Sequence, residues 1–421
     1  MVDLGSLIYI SVKPIFKIYL IIGCGYYLGK TNVIDTIARR KISTVIMMVL
    51  FPCLILKNLI SYISIDDLKD IGIIILVSTV LYCVGLSGAA AIAVLTKPVG
   101  WMGGCLSTGL FINISDLPIA YLQSLSGILF TADQVNKGTA YIVIFTAFQM
   151  VVQFNLGGFK LTSLDFKERI EDDVEMQCPS SSKSDGVAEH TITISADRKQ
   201  SIPKMIWQGV LFFVDNTKNL VSITIIVGFV LCLIPWTKAL FVSANVSMKT
   251  APDGEPPLSF LMDFVSYISQ ACVPLGLLMV GSTISSLTFD GSCRILPPLL
   301  TGVMRLCILP IIGVLVVHGM SHAGWFNSDN ILQFVCCIVW GLPNATILVY
   351  LTAMSQPLSD NEMGSKSYDS EAQIDGSSTR KGDGGDLQMN YLALTYLFQY
   401  IALVLSLPIL VTFIVKHELH L

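Results

Sequence analysis

The sequence predicts an all-α integral membrane protein with ten transmembrane helices in a 5+5 inverted repeat, helices four and nine being broken. Three observations lead there. Of 421 residues, 53% are hydrophobic and only 13% charged, about half the roughly 25% charge of a soluble domain, and mean hydropathy is +0.69. Apolar runs long enough to cross the hydrocarbon core, about 20 residues, occur five times, stop, and occur five times more. Prolines recur at matched offsets in the two sets. Such a chain has too little polar surface to stay wet as a globule, which excludes a soluble enzyme or a secreted disulfide scaffold. A net charge of −4 offers no basic field, so no nucleic-acid partner is expected.

The first five runs cover residues 7–28, 42–63, 71–95, 102–125 and 140–159, and the second five cover 220–240, 260–285, 296–317, 331–353 and 391–415. The amino terminus lacks the basic start and small-residue cleavage site of a secretory signal, so it is expected to remain as the first span. Residues 206–214 read as an interfacial helix leading into the sixth. Two inserts rich in Ser, Gly and acid have little to bury and read as disordered loops. The organisation is therefore 1–160, first repeat; 161–203, cytoplasmic loop; 204–354, helices six to nine; 355–388, second cytoplasmic loop; 389–421, tenth helix and carboxyl terminus. The basic cluster Arg39, Arg40 and Lys41 after the first span puts both inserts in the cytoplasm. Both termini then lie on the opposite side, as does the glycosylation sequon at Asn245. The 11 cysteines are scattered without a CxxC pair, and are expected to be small buried apolar side chains.

The repeat shows in the prolines. Pro52 and Pro274 stand 222 residues apart, and Pro118 and Pro343 stand 225 apart. Gln149 in span five has a counterpart in Gln399 of span ten. An odd number of spans per half inverts the second copy, and inverted repeats with paired interrupted helices are the architecture of secondary transporters. A proline inside a helix removes a donor and pushes away the carbonyl four residues back. In hydrocarbon those groups must be satisfied by protein, water or solute, and the amino ends of half-helices favour an anion.

The candidate substrate-binding residues follow: Asn113, Ser115, Asp116 and Pro118 in span four, and Pro343, Asn344 and Thr346 in span nine. Asp116 is the costliest residue to place at mid-membrane, so it reads as functional, as a proton carrier or as a cap on the second half-helix. Lys17, deep in span one, is a candidate partner for Asp116 or for a substrate anion. Arg305, near the middle of span eight, must be paired or line water, with Asp263 one available partner. His318 and His322 have the i,i+4 spacing of some metal sites, but no acidic ligand is near in sequence and no metal is expected. Neither a Walker loop, a GxSxG elbow nor HExxH occurs, so no enzyme activity and no cofactor are expected.

At these motifs the chain resembles the family of plant auxin efflux carriers and PIN-LIKES proteins, particularly its fungal branch. The resemblance is carried by KPIFKIYLIIGCGYYLGK, LFPCLILKNL, NISDLPIAYLQ, WTKALF, PPLSFLMDFVSYISQACVPLGLLMVGSTI, and Arg305 in MRLCILPIIG. It covers both membrane halves and neither polar loop. It implies ten spans, a scaffold and a transport domain, and a substrate site at the crossing of helices four and nine. It also implies a support site of a first-span lysine, a third-span acid and fifth-span polar residues, which Lys17 and Gln149 match. The third run, residues 71–95, has no acid, a departure that weakens auxin itself as substrate. The implied activity is secondary transport of a small organic anion, an indole carboxylate among the candidates, by elevator-type alternating access. A non-transporting sensor or scaffold acting through its loops, and a passive channel, are the alternatives. The bilayer and a homodimer are the expected further partners, and the endoplasmic reticulum is the implied location, with plasma and vacuolar membranes as alternatives.

Overall fold

The computed structural model describes residues 4–62, 68–114, 116–166, 217–243, 246, 248–288, 293–327, 329–356 and 383–419. Ser115, Asn245, residues 206–214 and most of both inserts lie outside the described residues, as does the side chain of Asp116. Every regular element among the described residues is helical, with two isolated backbone bridges besides.

Helix α1 (Leu4–Lys30) runs through Pro14. α2 (Thr36–Val45) starts on Asp35, whose carboxylate accepts from the Ala38 N–H at 2.7 Å, as an N-cap should. A π-helical turn (Ile46–Leu50) then leads into α3 (Phe51–Tyr62), whose second residue is Pro52. The wider turn loosens the hydrogen-bond ladder where the proline ring would otherwise press on a bonded carbonyl. α4 (Leu68–Thr96) is one unbroken rod. α5 (Met102–Leu110) and α6 (Asp116–Ser124) are two short helices in line of sequence. α7 (Ala132–Met150) opens on a Thr131–Gln134 capping box and ends in a π turn (Val151–Asn155).

After the first insert come α8 (Leu220–Leu233) and the single turn α9 (Pro235–Lys238). α10 (Ser259–Ser269) and α11 (Cys272–Ser285) are broken just ahead of Pro274. α12 (Leu296–Val303) passes through a π turn (Met304–Ile308) into α13 (Leu309–His322), again directly before a proline, Pro310. α14 (Asn330–Ile338), a 3-10 turn (Val339–Gly341) and α15 (Ile347–Ser355) follow, and α16 (Asp383–Phe413) closes the chain with a π turn (Ile414–Glu418).

Among the described residues, six helical stretches are long and apolar enough to cross a membrane: Thr36–Tyr62, Lys69–Thr96, Ala132–Phe166, Ser259–Ser285, Leu296–His322 and Leu387–Glu418. Their outer faces explain the composition. Ile401, Leu405 and Ile409 on α16, and Ile311 and Leu315 on α13, form exposed apolar stripes at i,i+4 spacing, which a soluble protein would not leave uncovered and lipid would. Cys24, Cys83 and Cys307 are exposed rather than buried as expected, while Cys105, Cys232, Cys272, Cys336 and Cys337 are buried and unbridged. α1 packs along α11, α3 against α8 and α10, α4 against α5, and α12 against α16. At the α4–α5 contact Gly85 and Gly109 face each other, and a Cβ on either would stand 2.5 Å from the other's carbonyl oxygen. Small residues let the two backbones touch, as at many helix contacts in lipid.

Two expectations shift at this level. Two helices start earlier than their apolar runs: α4 includes Asp70 in its first turn, and the last helix begins at Asp383 rather than 389. Arg39 is not a free surface charge. It is buried, its Nη2 donating to the Ser282 carbonyl at 3.0 Å, and Arg40 donates to the Gln356 carbonyl at 3.2 Å. The cluster therefore also stitches α2 to the ends of α11 and α15.

Candidate functional site

The two interruptions meet backbone to backbone. Ile112, in the gap between α5 and α6, opposes Asn344, in the gap between α14 and α15, as an antiparallel bridge. The Asn113 N–H donates to the Pro343 carbonyl at 2.9 Å, and the Ala345 N–H donates to the Phe111 carbonyl at 3.0 Å. Breaking a helix in an apolar surrounding leaves carbonyls and N–H groups with no water to turn to. Each gap answers the other's demand.

Side chains close what the backbone leaves open. The Asn344 Nδ2 donates to the carbonyls of Thr108, at 2.7 Å, and Phe111, at 2.8 Å, at the buried carboxyl end of α5. Gln399 grips Asn344 twice: its Oε1 accepts from the Asn344 N–H at 2.8 Å, and its Nε2 donates to the Asn344 Oδ1 at 2.5 Å. Gln149 does the corresponding work at the other gap, its Nε2 donating to the Ile112 carbonyl at 2.6 Å. The Arg305 Nε donates to the Leu342 carbonyl at 2.9 Å, and the Tyr396 hydroxyl to the Ala345 carbonyl. The π turn that carries Arg305 directs a fully buried guanidinium at the second gap. Opposite, at the amino end of α5, the buried carboxylate of Asp165 accepts from the N–H groups of Gly103 and Gly104 at 2.6 and 2.7 Å, an N-terminal anchor that favours negative charge. No feature of the sequence around Asp165 separates it from the charged insert that follows.

Beside the paired gaps lies a cavity of about 50 Å³. Its walls come from α3 (Phe51, Leu54), the first gap (Ile112, Asn113, Ile114), α7 (Thr146, Gln149, Met150) with Gln153 of the following turn, α11 (Cys272, Val273), and the second gap with α15 (Ala345, Thr346, Ile347, Tyr350). The Gln149 Oε1 and the Gln153 Nε2 are buried there without a hydrogen-bond partner, one acceptor and one donor. The Thr346 Oγ1 accepts from the Tyr350 hydroxyl at 3.2 Å. No described wall residue is charged, and the amino end of α15 adjoins the space.

The sequence-selected residues thus fall into groups. Asn113, Thr346 and Gln149 line the cavity. Pro343 and Asn344 belong to the crossing of the gaps, where the Asn344 amide is wholly buried and spent on backbone groups. Pro118 is the third residue of α6, past the gap, whereas Pro343 is inside its own gap; the two prolines do not hold equivalent positions. Arg305 is tied to Leu342, and Asp263 is exposed on α10 without a bond to it. Lys17 is exposed on α1 and hydrogen-bonds no described residue. Gln153 was not selected from sequence, although its spacing of four from Gln149 puts both on one helical face.

An all-helical chain with lipid-facing stripes and a polar seam between two interrupted helices is the build of a membrane transport protein. Residues 10–355 match the family model described as membrane transport protein, and the chain belongs to that family. It is 27% identical to Protein ECM3 of Saccharomyces cerevisiae, with 100% of both chains covered, and 27% identical to the uncharacterized transporter YLR152C of the same organism, with 99% of both covered. Protein PIN-LIKES 3 of Arabidopsis thaliana is 22% identical over 84% of this chain and 91% of its own.

Proposed function

We propose that the chain is a secondary carrier of a small organic anion, an indole carboxylate among the candidates, and that the solute is held in the cavity beside the paired gaps. The observation that carries this reading is the unpaired Gln149 Oε1 and Gln153 Nε2 in a wall that also receives the amino end of α15. A buried donor or acceptor left unmade costs about 1–3 kcal/mol, so the two amides are groups waiting for a polar guest. Gln153 suits a carboxylate oxygen, and Gln149 suits an N–H or O–H donor of the same solute. The amino end of α15 adds positive potential.

The six long spans, together with α1, α5–α6, α8 and α14–α15, make up a ten-span 5+5 arrangement with crossing helices four and nine. Transport then proceeds by elevator-type movement of the crossing against the α3 and α11 walls. The cavity holds only a few waters, at about 10–15 Å³ each on this measure, so passage of a larger anion requires those walls to separate from the gaps. Residence in the endoplasmic reticulum membrane is supported by the likeness to PIN-LIKES proteins.

The test is uptake by the purified full-length protein in vesicles, with a panel of organic anions and with or without a pH gradient. Saturable uptake of at least one carboxylate, cut tenfold or more by Thr346→Val, is expected. Unsaturable flux would replace the carrier by a channel, and no flux of any anion would leave the loop-acting scaffold.

A further inference from the structure

At the end of α13 the side chains of His318 and His322 converge. Their Nε2 atoms are 3.0 Å apart, with the rings edge to face at 79°. The i,i+4 spacing explains why they share a face, and the two Nε2 atoms stand at hydrogen-bond distance. A third group joins them from 100 residues away in sequence. Glu418, in the π turn that ends the last helix, accepts from the His318 Nδ1 at 3.1 Å. That carboxylate is 5% exposed and is held from behind by the Gln333 Nε2 of α14 at 3.3 Å. With its Nδ1 committed as a donor to Glu418, a neutral His318 carries its lone pair on Nε2, pointing at His322. Both rings remain open to solvent.

We propose that His318 and His322 form a binding site for a divalent late transition metal of the zinc class, with Glu418 orienting His318 and water completing the coordination. Two imidazole nitrogens bonded to one metal at about 2.0–2.1 Å stand roughly 2.9–3.4 Å apart between right-angled and tetrahedral arrangements, a range that includes the observed spacing. A carboxylate on the far nitrogen of a ligating histidine is the usual supporting contact, and it fixes the tautomer and raises ligand basicity. The carboxyl end of α13 adds negative potential where the cation would sit. Imidazole donors select zinc, copper, nickel and cobalt over magnesium and calcium, which prefer oxygen. The acid missing from the local sequence is supplied by the fold, and the bound ion would fasten the end of α13 to the end of the last helix.

The experiment is titration of the untagged full-length protein in detergent with Zn²⁺ by calorimetry and with Co²⁺ by visible absorption, Mg²⁺ serving as control. One saturable Zn²⁺ per chain, ligand-field bands with Co²⁺ and no response to Mg²⁺ are expected. His322→Gln and His318→Gln should each weaken binding tenfold or more. Glu418→Gln should weaken it about 10–100-fold, as such supporting contacts do, while His417→Gln leaves it unchanged. The two histidines are exposed, so their variants should keep the parent's elution profile. Absence of saturable binding up to millimolar Zn²⁺, or native affinity in His322→Gln, would overturn the site. Native affinity in Glu418→Gln would overturn the role given to the carboxylate.

Discussion

Two kinds of buried amide surround the paired gaps, and they should respond oppositely to replacement. Asn344 and Gln399 are spent on each other and on the freed carbonyls of Thr108 and Phe111. Removing either strands several partners, at about 1–3 kcal/mol for each group left unmade. Gln153 has an Nε2 with no partner to lose. Asn344→Leu is therefore expected to lower the melting temperature in detergent, whereas Gln153→Leu should hold or raise it while cutting uptake. Thermal unfolding and vesicle uptake on the same preparations check both, and a Gln153→Leu protein with native uptake would remove that residue from the solute site. Sequence alone ranked these residues the other way. Asn344 stood out because a polar residue beside a proline in a span demands attention, and Gln153 did not because glutamine near a helix end is ordinary. Which of them faces a space is a property of packing, which no spacing rule reports.

At the scale of elements, the apolar runs were legible because lipid enforces length and apolarity on a span, and six helical stretches among the described residues meet that demand. The position of the first interruption was not. Pro118 marks the third residue of α6, where the missing N–H would be unpaired in any helix, so the proline is tolerated after the break and does not locate it. Nor did the apolar runs reveal Asp70 inside the first turn of α4, because a helix outlasts the hydrocarbon it crosses. Asp70 accepts from the Tyr141 hydroxyl of α7 at 2.6 Å; that hydroxyl also lies 3.0 Å from the Asp329 Oδ2, which accepts from the Lys137 Nζ at 2.8 Å. Asp329 caps α14 as well, accepting from the N–H groups of Ile331 and Leu332. Burial pushes its carboxyl up, but the bonds from Lys137, Leu332 and Tyr141 outweigh that and leave it below the ordinary carboxylate value. A depressed folded pKa gives stability that is fully present above the unfolded value, about 3.9, and is lost as pH falls through the folded value. Asp329→Asn should thus melt lower than the parent at neutral pH, and the gap should narrow under acid. A gap independent of pH would mean that the carboxylate's charge does not hold α4, α7 and α14 together.

For the whole molecule, two independent signals bear on which side of the membrane each end faces, the basic residues and the sequon at Asn245. The positive-inside argument leaned on the cluster after α1, yet Arg39 is buried against Ser282 and Arg40 reaches Gln356. Charges with packing roles are weaker topological signals than free ones, because the fold would keep them on either side. Exposed Lys30 and Lys41 still carry the signal at that end. The sequon at Asn245 decides the matter independently, since glycans are added only on the non-cytoplasmic side. In the ten-span reading its loop, between spans six and seven, shares a side with the loop between spans eight and nine, because two crossings separate them. Expression in a glycosylating host should therefore yield a form whose mobility shifts on endoglycosidase treatment, with the shift abolished in Asn245→Gln. His318 and His322 would then meet metal from the lumen or exterior. If Asn245 stays unmodified while a sequon engineered into residues 161–203 is used, the orientation reverses, and the histidine pair faces the cytoplasmic metal pool instead.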